Sequence, residues 1–150
     1  DALPDDAALS EEARKLTPGL SDDQIAEHLR AFHEAIEQPE IHSALRRRSE
    51  ADTLWRERAF AVRDEAGRLL SGRFDRVVLH RARAGAAPNA ATLIDFKTDR
   101  VEAREADAAA EPYRGQIEAY RRALSRMLGL DEAAVRALLL FVEPGRAVAM

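Results

Sequence analysis

Thr92-Leu93-Ile94-Asp95-Phe96-Lys97, with Gly72-Arg73-Phe74-Asp75-Arg76-Val77 on the stretch before it, decides the reading of this chain. Both stretches alternate as strands do, and alternation puts Asp95 and Lys97 on one face while Ile94 and Phe96 point the other way into the core. The loop between them, Ala82 to Ala90, holds Gly85, Pro88 and Asn89. A hairpin folded symmetrically about Gly85 faces Asp75 with Asp95, whereas a loop centred two residues later offsets them by four. In the symmetric register the two Cβ atoms stand roughly 5 Å apart. Like charges at that distance require a compensating cation, for which a divalent metal is the natural choice.

Of 23 basic residues only Lys15 and Lys97 are Lys, so Lys97 reads as a position where Arg will not serve. A compact ammonium on a flexible stem can touch a water and a phosphate oxygen together, which the wide guanidinium fork does less well. Two carboxylates and an ammonium at one spot suit metal-assisted phosphodiester cleavage. Glu57, on the strand before, falls opposite Phe74 or, after a shift of one, opposite Asp75, and is a candidate third carboxylate. Gln116 and Tyr120 lie one helical turn apart, placed to brace a carboxylate site or hold a phosphate, with a core-packed Tyr as the structural alternative. Arg73, Arg76, Arg114 and Arg121 are candidate phosphate contacts or solvated charges.

Working outward, Phe60 and Val62 alternate in a strand that starts at about Leu54, and Asp64-Glu65-Ala66-Gly67 supplies the turn to a second strand, Gly72 to Arg81. With Thr92 to Lys97 these make an antiparallel three-strand meander. Upstream, residues 1–50 read as helical. Ser10 caps a short helix to Lys15, Ser21-Asp22-Asp23-Gln24 forms a capping box, and Ile25, Leu29, Phe32 and Ile36 make one apolar stripe ending at Pro39. Residues 40 to 48 form a short helix or turn closing on the basic run Arg46-Arg47-Arg48. Downstream, Arg100 to Ala110 is a charged, alanine-rich connection. Glu111-Pro112 opens a helix burying Tyr113, Ile117, Tyr120, Leu124 and Leu128, and Gly129 stops it. Asp131 caps a turn, Leu138 to Val142 is a fourth strand, and Glu143-Pro144-Gly145-Arg146 turns into the last residues.

The 150 residues suit one domain, with 1–50 a helical part and 51–150 the core, burying about 70% of the unfolded surface. The absence of Cys excludes disulfides, thiolate zinc and cysteine-ligated iron-sulfur clusters, and permits a cytoplasmic setting. No apolar run is long enough to span a membrane. The net charge of -4 means that any DNA contact is local. The first residue is Asp1, not Met, which fits a piece of a longer polypeptide. No phosphate-binding G-x-x-x-x-G-K-[ST] loop is present, so no ATP site is expected here.

Arg56-Glu57-Arg58-Ala59-Phe60, Gly72 to Val77, Ile94 to Asp99, and Tyr113-Arg114-Gly115-Gln116-Ile117-Glu118-Ala119-Tyr120 stand in the order and spacing of a known pattern. Over roughly residues 50 to 145 the chain resembles the RecB-like branch of the PD-(D/E)xK nucleases, most of all the C-terminal nuclease domain of AddA-type helicase-nucleases, which process DNA double-strand breaks. The resemblance implies an α/β (α+β) restriction-endonuclease-like fold, a mixed sheet with flanking helices. It implies Mg²⁺ or Mn²⁺ held by Asp75, Asp95 and the backbone carbonyl of Phe96, with Lys97 orienting the attacking water. Gln116 and Tyr120 match the family's Q-x-x-x-Y block. The implied partners are DNA, a helicase motor in the same polypeptide and an AddB-like subunit. One departure stands out: family members place a ligating His in a G-x-x-x-H-type helix, and no such motif occurs here. His28, His33 and His42 read as solvated or packed, and His80 as a surface residue.

The leading expectation is a metal-dependent DNA nuclease domain of a bacterial helicase-nuclease. Its rivals are a catalytically weakened module of the same fold that guides DNA or docks a partner, and a stand-alone resolvase or restriction-type nuclease.

Overall fold

The computed structural model describes residues 5–64, 66–99 and 101–150. Alternating β-branched and aromatic residues build three long strands, β1 (Thr53–Arg63), β2 (Leu69–His80) and β3 (Ala90–Lys97), as an antiparallel meander. Their order and type follow the sequence expectation, with each strand starting one to three residues earlier. Glu65, in the expected first turn, lies outside the described residues.

Before the sheet come α1 (Asp6–Leu16), α2 (Asp22–Glu37) and α3 (Pro39–Leu45). The capping box forms as the sequence predicts, with Ser21 and Gln24 each bonding the other's backbone N–H. Helix α1 departs from expectation: Asp5, not Ser10, caps it by accepting from the N–H of Ala8. Pro39 ends α2 and opens α3, where its missing N–H costs nothing.

Beyond β3, the connection read as an alanine-rich link is ordered. Ala103–Glu105 is a 3₁₀ turn, and α4 (Ala106–Ala110) buries Ala106 and Ala110 in the main core. Arg100 lies outside the described residues. A 3₁₀ turn at Glu111–Tyr113 feeds α5 (Arg114–Leu128), which stops at Gly129 in the left-handed conformation (φ 65°) as predicted. Strand β4 (Val135–Phe141) begins three residues before the expected fourth strand and pairs parallel to β3. A fifth strand, β5 (Arg146–Ala149), was not foreseen; it pairs antiparallel with β4 after the expected turn. The sheet order is β1-β2-β3-β4-β5.

The two sheet faces are buried unequally. One carries the main core, where Phe74, Leu93, Leu139 and Phe141 meet Ile117 and Leu124 of α5. The other carries a small cluster, Ile94, Leu138 and Leu140 against Ile41 of α3. On that second face the apolar stripe of α2 is only half covered. Phe96 corrects the sequence reading there: it is 37% exposed and lines an open groove instead of entering the core. His80 corrects it too, being nearly buried between Asp52 and Thr92. Its Nε2 lies 2.9 Å from the Thr92 hydroxyl and its Nδ1 3.1 Å from Asp52. Asp52 also accepts the N–H groups of Arg48 and Arg81, and so ties the segment before β1 to the end of β2.

Candidate active site

The observed β2–β3 pairs, from His80↔Ala90 to Arg76↔Ile94, are those of the symmetric hairpin. One step further in that register places Asp75 opposite Asp95. The regular ladder stops short of this step, and Asp75 Oδ2 instead accepts the backbone N–H of Phe96 at 3.0 Å. The Asp75 carboxylate is thereby fixed beside the Asp95-Phe96-Lys97 backbone.

Asp95 is 4% exposed. Burial pushes its carboxyl above the ordinary carboxylate range; Lys97 pulls it back, and the neighbouring Asp75 charge adds to the rise. Lys97 Nζ stands 2.6 Å from Asp95 Oδ2. That short, buried ion pair is the contact that holds Oδ2. The same ammonium sits 4.0 Å above the ring of Tyr113. Tyr113 in turn donates its hydroxyl to Asp99, at 3.1 and 3.2 Å to the two oxygens. This bond to Asp99, followed by burial, raises the phenol above its usual range.

Tyr113 and Asp99 were not among the candidate site residues, although both lay in the quoted blocks. Periodicity assigned Tyr113 to the buried helix face, and only the tertiary fold sets its ring under Lys97.

Gln116 and Tyr120 bond each other, Nε2 to Oη at 3.3 Å. Tyr120 stands edge-on to Phe60 and Phe74, whose rings stack at 4.3 Å. The pair therefore braces β1 and β2 through Phe74, the residue before Asp75. Glu57 falls between the pairs Arg56↔Arg76 and Arg58↔Phe74, at the register position of Asp75. It is the one non-glycine with positive φ (47°) among the described residues, and its exposed carboxylate is 3.6 Å from Arg73. The expected third carboxylate is thus turned to Arg73, and no three Asp, Glu or His side chains gather into a metal-holding group among the described residues.

The candidate arginines divide. Arg114 is paired with Glu111 (2.6 Å) and Arg121 stands 3.9 Å from Glu132. Arg76 donates to the carbonyl of Leu45 at 2.8 Å. Of the histidines, His33 contacts Asp6 at 2.8 Å, and His28 and His42 are exposed.

The donor set fits a hard divalent cation, because Asp75 and Asp95 offer carboxylate oxygens side by side, with one Asp95 oxygen held by Lys97. Among the described residues no helix is long and apolar enough to cross a membrane. A comparison with curated proteins gives no match. Nucleases of the PD-(D/E)XK superfamily generally use divalent metals such as Mg²⁺. The model of that family matches residues 1–149, almost the whole chain, and with this mixed sheet and its flanking helices the chain belongs to the PD-(D/E)XK nuclease superfamily.

Proposed function

We propose that this chain is a Mg²⁺- or Mn²⁺-dependent DNA nuclease domain that hydrolyses phosphodiester bonds as part of an AddA-type helicase-nuclease. On this reading it works in the cytoplasm in double-strand break repair and recombination, alongside a helicase motor in the same polypeptide and an AddB-like subunit. The observation that carries the reading is the Lys97 ammonium held between Asp95 and the Tyr113 ring, next to a second carboxylate. Asp75, Asp95 and the Phe96 carbonyl are the groups to hold the metal. A divalent cation there supplies activation of water and polarisation of the scissile phosphate. Lys97 is placed to orient the attacking water and to offset charge growing on the phosphate. Gln116 and Tyr120 keep the Asp75 strand in position.

A weakened module that guides DNA is the second reading, favoured by one observation: Glu57 faces Arg73, which leaves two carboxylates at the centre. Titration calorimetry with Mn²⁺, run beside cleavage of a labelled oligonucleotide, separates the two. A nuclease binds metal as wild type and as Lys97→Ala but not as Asp95→Ala, and Lys97→Ala loses about 10²- to 10³-fold in cleavage rate. Metal binding and cleavage both missing in the wild type would favour the guiding module.

A further inference from the structure

On the sheet face away from α5, a groove of about 1000 Å³ opens between α2, α3 and the strands. Its wall carries Arg46, Arg47, Arg48, Arg56 and Arg76 against one carboxylate, Glu50. In a chain of net charge -4 this is a strong local reversal. Arg46 and Arg48 are exposed, and Arg76 is held by the Leu45 carbonyl with its Nε buried and unpartnered among the described residues. Apart from His42 and Ser49 the groove's other lining is apolar and includes the rings of Phe32 and Phe96, with Phe96 the more telling because a ring of that size left 37% exposed costs burial energy.

We infer that this groove is a path for a single nucleic-acid strand, whose phosphates lie along the Arg46-Arg47-Arg48 run and Arg76 while its bases stack on Phe96. The choice of nucleic acid rests on the nuclease reading; the choice of a single strand rests on the groove itself. Cationic walls with exposed aromatic rings are what unpaired bases need, since each base offers a free ring face that duplex stacking would hide. The groove shares its strands with the carboxylates and lies on the reverse face from Asp95 and Lys97. Arg76 follows Asp75 in β2, Phe96 separates Asp95 from Lys97 in β3, and the Phe96 N–H binds Asp75.

The test is fluorescence anisotropy of a short labelled oligothymidylate on the full chain, in chelator so that neither metal nor cleavage contributes. Arg46→Ala/Arg48→Ala is expected to weaken binding at least about tenfold and to flatten the logarithmic salt dependence by about 1.4, the value for two lost single-strand phosphate contacts. Phe96→Ala is expected to weaken it about tenfold, with no such loss on an abasic sugar-phosphate oligomer of equal length. Circular dichroism and the unfolding midpoint check each variant's fold, and the arginine pair decides the matter if Phe96→Ala does not fold. Unchanged affinity and salt slope in the folded arginine variant would overturn the proposal and give the groove to a protein or a second copy. Preference for a duplex of the same length would also overturn it. Cleavage by the wild type with metal is scored separately, so a nuclease that ignores the groove is distinguishable from a groove that binds without cleavage.

Discussion

Asp95 and Asp52 are both nearly buried carboxylates, and their surroundings drive them in opposite directions. At Asp95 burial outweighs the Lys97 ammonium, so the folded state holds the proton more tightly than the unfolded chain with its value near 3.8. Its contribution to stability therefore falls as pH rises from the ordinary carboxylate range through the raised folded value. In chelator, urea unfolding of Asp95→Asn should show the variant gaining on the wild type across that window and staying level above it; a constant difference would mean that burial does not strain this carboxyl. At Asp52 burial also pushes upward, but the bond from His80 and the N–H groups of Arg81 and Arg48 together win, and the group is lowered. Asp52→Asn should lose stability above the ordinary range, and the loss should vanish as pH falls through the lowered value. Glu57 is strained in a different way, with its positive φ costing on the order of 1 kcal/mol or more in the middle of β1.

Strand β2 and helix α5 meet where a glycine is required. A Cβ on Gly72 would lie 2.9 Å from the Tyr120 hydroxyl and 3.0 Å from the Phe60 ring. The glycine before Asp75 and the tyrosine of α5 therefore belong to one packing unit, which explains why these blocks occur together in the sequence. Gly72→Ala is expected to destabilise by about 1–3 kcal/mol through overpacking, read from the urea midpoint. Adding Tyr120→Phe should recover only part of this, because it removes the hydroxyl contact and leaves the Phe60 contact in place. Full recovery would show that the hydroxyl alone sets the limit.

Across the whole molecule, the sheet has one sealed face and one partly open face. Leu124, fully buried against the first, should cost about 2–5 kcal/mol as Leu124→Ala. Ile36, half-buried on the second, should cost less than half as much as Ile36→Ala in the same urea experiment, because much of its surface already meets water. Similar losses at the two positions would mean that the groove face is as tightly packed as the core. This division was invisible in the sequence, where Ile25, Leu29, Phe32 and Ile36 look like any core stripe. What local pattern governs was legible: the three-strand meander, the Ser21 capping box and the Gly129 stop each depend on residues close together in the chain, whereas of the two registers open to the second hairpin the structure selects the symmetric one. Once that register is set, the juxtaposition of Asp75 with Asp95 and Lys97 follows, because a strand's two-residue period carries side-chain direction across a hairpin. The tertiary structure alone decided the rest. β5 is four residues long and exists by pairing with β4, α4 is held by burying Ala106 and Ala110, and the Tyr113 ring meets Lys97 only once α5 crosses the sheet. Those outcomes depend on partners far along the chain, whose surfaces local periodicity does not encode.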